Sequence, residues 1–228
     1  MTDATATNAP ESGEGSAPER CGFVALAGAS NVGKSTLLNR MVGAKVSIVT
    51  PKVQTTRSRM LGILPYGGAQ LVFVDTPGIF KPGRRLDRAM IAAAWTGIED
   101  ADLILLVIDA RRGIDSDTRK IMDRLKNAGR QCLVALNKVD LIKDKARLLP
   151  LADSINNEGI VEHIFMINAL DGDGVDDVLD HLAERVPESP WLFPEDQLSD
   201  INERLLAAEI TREQVYLQVH EELPYSAA

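Results

Sequence analysis

No apolar run in this chain reaches the roughly 20 residues that a helical membrane span requires. The first twenty residues, MTDATATNAPESGEGSAPER, carry no apolar core. That excludes a secretory signal peptide and predicts a disordered tail over 1–20. Only two cysteines occur, Cys21 and Cys132. Their wide separation excludes a disulfide framework or a zinc spacing and points to a reducing compartment. His163, His181 and His220 stand apart, without metal-ligand spacing. A basic balance is missing too: the formal net charge is −8, which argues against non-specific nucleic-acid binding by the whole surface. No internal repeat is present.

Against these absences stand 228 residues, 45% of them hydrophobic, enough for a core. Six runs read as strands: FVALAG, MLGILPY, AQLVFVD, ADLILLVIDA, QCLVALNKVD and VEHIFMINA. STLLNRMVG, DSDTRKIMDRLKNAG and GVDDVLDHLAERV have helical apolar spacing, and DKARLLPLADSINNEG is a broken helical stretch. KVSIVTPKVQTTRSR begins like a strand and then turns polar and basic. The GG between MLGILPY and AQLVFVD signals a hairpin. The alternation predicts an α/β fold with a mostly parallel six-stranded sheet and helices on both faces. VPESPWLFPEDQLSD (186–200) reads as extended, with the linker set at 188–200, and 201–223 reads as a helix.

Polar clusters follow four of the strands, and in such sheets ligands sit at the carboxyl ends. Gly28, Gly33, Lys34 and Ser35 fit G-x-x-x-x-G-K-[ST] between a strand and a helix. The glycines allow backbone N–H groups to surround phosphate oxygens. Lys34 is expected to reach the β and γ phosphates, with the Ser35 hydroxyl on Mg²⁺. In DTPGI (75–79), Asp75 can hold Mg²⁺ through water and Gly78 can offer its N–H to a γ-phosphate; in isolation the same residues would read as a turn. In NKVD (137–140), Asp140 can accept from the N1–H and exocyclic amine of guanine, a pair that adenine lacks. Asn137 would hold the other base edge and the glycine loop, and the Lys138 stem would cover the base. NAL (168–170) would present backbone N–H groups to the guanine oxygen. In QTTR (54–57), Thr56, or alternatively Thr55, would complete the Mg²⁺ shell. The expected catalytic set is Lys34, Thr56, Asp75 and Gly78. The expected binding set is Gly28, Ala29, Ser30, Asn31, Val32, Gly33, Lys34, Ser35, Thr36, Asp75, Thr76, Pro77, Gly78, Ile79, Asn137, Lys138, Val139, Asp140, Asn168, Ala169 and Leu170. DGDGVDD (171–177) superficially matches a calcium loop, but Val175 stands where an oxygen ligand is needed. An acidic helix start is the better reading.

These motifs resemble the translation-factor-related P-loop GTPases. NVGKSTLLN, QTTR, DTPG, NKVD, FPEDQLSD and ERLLAAEITREQVYLQVHEELPYS together narrow the resemblance to the Era family of ribosome-assembly GTPases, from about Cys21 to the end of the chain. The resemblance implies a GTPase domain over 21–187, a linker over 188–200 and the start of a truncated KH-type RNA-binding domain over 201–228. It also implies GTP hydrolysis to GDP and phosphate with Mg²⁺. In the full-length protein it implies binding to 16S rRNA and a part in 30S small-subunit assembly. A cytoplasmic, monomeric protein with peripheral contact at the inner membrane face is the expected setting. In related GTPases an asparagine placed like Asn31 helps to hold K⁺. One departure is Asn168, where the family usually has serine.

Signalling GTPases place a water-orienting glutamine just after DxxG. Here that residue is Ile79, so slow intrinsic turnover is expected. The basic segments 50–59 and 79–90 read first as solvated loops and second as RNA contacts. Leu205, Val215 and Val219 should be exposed on the last helix. Two other functions compete with a GTPase switch. One is a guanine-nucleotide-responsive RNA or ribosome scaffold in which hydrolysis is incidental. The other, an ATP-using kinase, is disfavoured because NKVD has no role in adenine recognition.

Overall fold

The computed structural model describes residues 19–49, 60–76, 92, 94–200 and 203–218. The expected alternation holds. Strands β1 (Arg20–Ala27), β2 (Met60–Tyr66), β3 (Ala69–Asp75), β4 (Leu103–Asp109), β5 (Cys132–Asn137) and β6 (Val161–Ile167) form one six-stranded sheet in the order β2-β3-β1-β4-β5-β6. β2 and β3 are antiparallel across the Gly67–Gly68 turn, and the other neighbours are parallel. From β1 the chain first reaches the edge strand β2, turns back as β3 beside β1, and then crosses to the other side of β1 with β4. That reversal opens a crevice at the carboxyl ends, where α/β sheets bind ligands.

β3 and β5 are buried along their whole length, and β4 except at its first residue. This is why their sequences run apolar without alternation. On one face Val24, Leu26, Phe73 and Leu105 pack against α1 (Lys34–Val42) and α5 (Val175–Arg185) through Leu37, Leu38, Leu179 and Leu182. On the other, Ala25, Leu106 and Val134 meet the helical segment 94–99 (α2), α3 (Ser116–Asn127) and α4 (Leu148–Asn156) through Trp95, Ile98, Ile121, Leu125 and Ile155. Asp115 caps α3 by accepting from Thr118 N at 2.8 Å, the usual use of aspartate at a helix start.

Two segments differ from expectation. Residues 45–49 form no strand, because side chains rather than a neighbouring strand take their N–H groups. Asn39 Oδ1 accepts from Val46 N at 3.0 Å and Ser47 N at 2.9 Å. Glu213 Oε1, on the last helix, α6 (Glu203–Gln218), accepts from Val49 N at 3.0 Å. Residues 188–200 are extended but not loose. Fully buried Gln70 donates to Phe193 O at 2.7 Å and accepts from Leu192 N and Phe193 N. Ile63 N donates to Leu198 O at 2.9 Å. The segment is thus stitched to the β2–β3 edge, where Trp191 and Phe193 cover Leu61, Ile63 and Val72.

Candidate functional site

Residues 28–33 link β1 to α1 with backbone that only glycine supplies easily. Gly33 has φ 106°, and a Cβ there would lie 2.4 Å from Asn137 Nδ2. Gly28 has φ 149°, and its Cβ would lie 2.6 Å from Val107 O. Any side chain would therefore push the loop away from β4 and β5. The first turn of α1 holds no acidic residue, so nothing there opposes an anion at the positive end of the helix. Ser30 Oγ is buried without a hydrogen-bond partner among the described residues.

Lys34 is 7% exposed, and its Nζ donates to Gly28 O and Ala29 O, both at 3.0 Å. Burial pushes its ammonium down to about 8, against the pull of Asp75 in the opposite direction. Asp75, at the end of β3, is fully buried. Its Oδ2 accepts from Ser35 Oγ at 2.9 Å and from Ser47 Oγ at 2.9 Å. The pairing of Ser35 with Asp75 gathers hard oxygen donors of the kind Mg²⁺ selects. Thr76 Oγ1 donates to Leu26 O at 2.8 Å, which fastens the end of β3 to β1.

On the other side of the crevice, Asn137 links three segments. Its Nδ2 donates to Val32 O at 2.9 Å, and its Oδ1 accepts from Ala169 N at 3.0 Å and Lys138 N at 2.8 Å. Lys138 is left-handed at φ 64°, and its Nζ donates to Asn31 O at 2.7 Å and Asp109 Oδ2 at 2.8 Å. Asp140 lies on the single helical turn Val139–Leu141 with its side chain exposed. Asn168 is buried. Its Nδ2 donates to Asp171 Oδ2 at 2.6 Å, and its Oδ1 accepts from Leu170 N at 3.1 Å. Arg40 reaches across from α1 to Leu170 O. All three backbone N–H groups expected to face guanine are therefore engaged within the chain: Asn168 N donates to Asp173 O at 2.9 Å, Ala169 N to Asn137 Oδ1 at 3.0 Å and Leu170 N to Asn168 Oδ1 at 3.1 Å.

The fold brings Gly28 to Ser35, Asp75, Thr76, Asn137 to Asp140 and Asn168 to Leu170 to one sheet edge. Thr55, Thr56, Pro77, Gly78, Ile79 and the whole of the basic segments 50–59 and 79–90 lie outside the described residues. Sequence reading missed Ser47 and Asp109. Both end up against named motif residues, yet neither belongs to a recognisable spacing; the one available signal was a carboxylate closing a buried strand at Asp109. Cys21 and Cys132 are free, buried thiols; burial pushes Cys132 up to about 12. Among the described residues no helix is long and apolar enough to cross a membrane.

A family model described as 50S ribosome-binding GTPase matches residues 23–138. GTPase Era of Rhizobium meliloti (strain 1021) is 55% identical over 227 residues, all of this chain and 72% of that protein. GTPase Era of Mesorhizobium japonicum is 56% identical over 206 residues, 90% of this chain and 66% of that protein. A crystal structure of a point variant of Aquifex aeolicus Era bound to GDP.AlF4- matches with TM-score 0.85 at 40% identity, over 91% of this chain and 70% of that one. An Era structure with MgGDPNP and nucleotides 1506–1542 of 16S ribosomal RNA matches with TM-score 0.86 at 40% identity, over the same shares.

Proposed function

The chain belongs to the Era family of GTPases, and we propose that residues 28–36, 75–79, 137–140 and 168–170 form its site for binding GTP and hydrolysing it to GDP and phosphate. The observation that carries this reading is the hydrogen bond from Asn137 to Val32 O at 2.9 Å. It joins a base-reading motif to a phosphate-binding loop, as one nucleotide spanning both requires.

In this reading Lys34 exchanges the carbonyls of Gly28 and Ala29 for β and γ phosphate oxygens. Gly78 would offer its N–H to the γ-phosphate. Ser35, Asp75 and Thr56 would hold Mg²⁺, whose charge offsets that developing on the phosphate oxygens. Asp140 accepts from guanine N1–H and the exocyclic amine, and the Lys138 stem covers the base. Asn31 is the candidate K⁺ residue; the cation would supply charge where the side chain of residue 79, an isoleucine, carries no hydrogen-bonding group. Hydrolysis faster in potassium than in sodium chloride is the expected result, and equal rates would remove this role.

The decisive experiment titrates labelled GDP and GTP against the chain with ATP as competitor, then repeats it with Asp140→Asn and xanthosine nucleotides. Guanine selectivity is expected in the wild type. In the variant, guanine affinity should fall about 100-fold, the loss of two charge-assisted hydrogen bonds, with xanthine favoured instead. A variant with unchanged preference would overturn the assignment of Asp140.

The Era structure with a 16S rRNA fragment supports extending the reading: the nucleotide cycle controls binding to 16S rRNA and small-subunit assembly. The proposed division is a tail over 1–20, a GTPase domain over 21–187, a connecting segment over 188–200 and the start of an RNA-binding domain over 201–228.

A further inference from the structure

Lys138 is the residue of the base-reading motif with the longest free stem, and what orders it lies on another strand. Asp109, the last residue of β4, is 1% exposed. Its Oδ2 accepts from Lys138 Nζ at 2.8 Å and Arg111 Nη2 at 3.0 Å. Its Oδ1 accepts from Arg111 N at 3.0 Å and Arg111 Nε at 3.3 Å. Both oxygens are thus filled, and one partner is the lysine whose ammonium also binds Asn31 O at 2.7 Å. Next along the chain, Arg112 Nη1 donates to Ser30 O at 3.0 Å. The end of β4 therefore grips two successive carbonyls of the phosphate loop, one through Lys138 and one directly.

We infer that Asp109 is a positioning residue for guanine nucleotides: it holds Lys138 across the base site and, through Lys138, fixes the phosphate loop at Asn31. This rests on the nucleotide reading above. The reasoning is one of entropy and charge. A lysine stem is among the costliest side chains to immobilise, and the Asn31 carbonyl alone is a neutral partner. A buried carboxylate makes the second bond charge-assisted and shorter-ranged in its allowed geometry. Asp109 keeps that charge at every working pH. Burial draws its carboxyl upward, but hydrogen bonds from Arg111 and Lys138 outweigh this and hold it at about 2. Because Asp109 acts at the base end, GDP and GTP should depend on it equally.

The test is a double-mutant cycle read by the release of fluorescent GDP and GTP analogues from wild type, Asp109→Asn, Lys138→Ala and the double variant. Asparagine keeps the shape and an acceptor for the Arg111 amide. Asp109→Ser provides the same comparison should the asparagine variant fail to load nucleotide. Release from Asp109→Asn should be about tenfold faster for both nucleotides, and the double variant should release no faster than Lys138→Ala, since residues acting as one unit are not additive. Rates that multiply in the double variant, or wild-type release from Asp109→Asn, would overturn the inference. A wild type that fails to retain GDP against excess ATP would instead overturn the nucleotide reading, and this role with it.

Discussion

Lys34 shows how a single buried cation sets a pH dependence. Its ammonium is held down at about 8 by desolvation, with Asp75 pulling the other way. Phosphates arriving beside it favour the charged form and raise that value. The complex therefore binds more protons than the free chain at around pH 8 and above. Nucleotide binding should take up a fraction of a proton there, and affinity should fall as pH rises through the free-state value. Calorimetry at pH 8 in buffers of different ionisation enthalpy measures this directly. An observed binding heat independent of buffer would contradict the assignment. Lys34→Met should show no buffer dependence and bind far more weakly.

At the scale of elements, α6 meets the body of the molecule through a side chain that the apolar pattern does not mark. Leu205 and Leu217 are exposed, Leu205 as expected from sequence, Val215 is half-buried, and Val219 lies outside the described residues. Glu213 is the buried one, at 4% exposure. It accepts from Val49 N at 3.0 Å and pairs with Lys45. Two residues before Val49, Ser47 binds Asp75, so one short segment touches both the proposed Mg²⁺ residue and α6. Glu213→Ala leaves the Val49 amide unpaired, which should cost about 1–3 kcal/mol of docking. Hydrogen exchange should rise in 203–218 while the amides of β1, β4 and β5 stay protected. Equal loss of protection in sheet and helix would mean that α6 unfolds only with the whole.

For the molecule as a whole, two apolar layers bury the sheet and leave its carboxyl edge polar. The formal net charge of −8 opposes RNA except at a local basic patch. This chain should therefore bind guanine nucleotide tightly yet bind a 16S rRNA fragment weakly, with affinity falling further as salt rises. Filter binding at two salt concentrations checks both statements. Tight, salt-resistant RNA binding would show that a strong RNA site lies within these residues.

The sequence by itself determined the α/β class, the order of the phosphate, metal and base motifs, and their places at strand ends. Those properties are local: an apolar run, a glycine spacing or a carboxylate after a strand is written in adjacent residues. Its misreading of 45–49 had the opposite cause. The stretch has strand-like composition, but Asn39 and Glu213 take its amides, and Glu213 lies 164 residues from Val49. Lys138 and Asp109, Asp75 and Ser47, and Gln70 and Phe193 likewise pair across 29, 28 and 123 residues. Only the tertiary structure decided these pairings, because no spacing rule ties together side chains that meet solely through the order of strands in the sheet and the path of the chain around it.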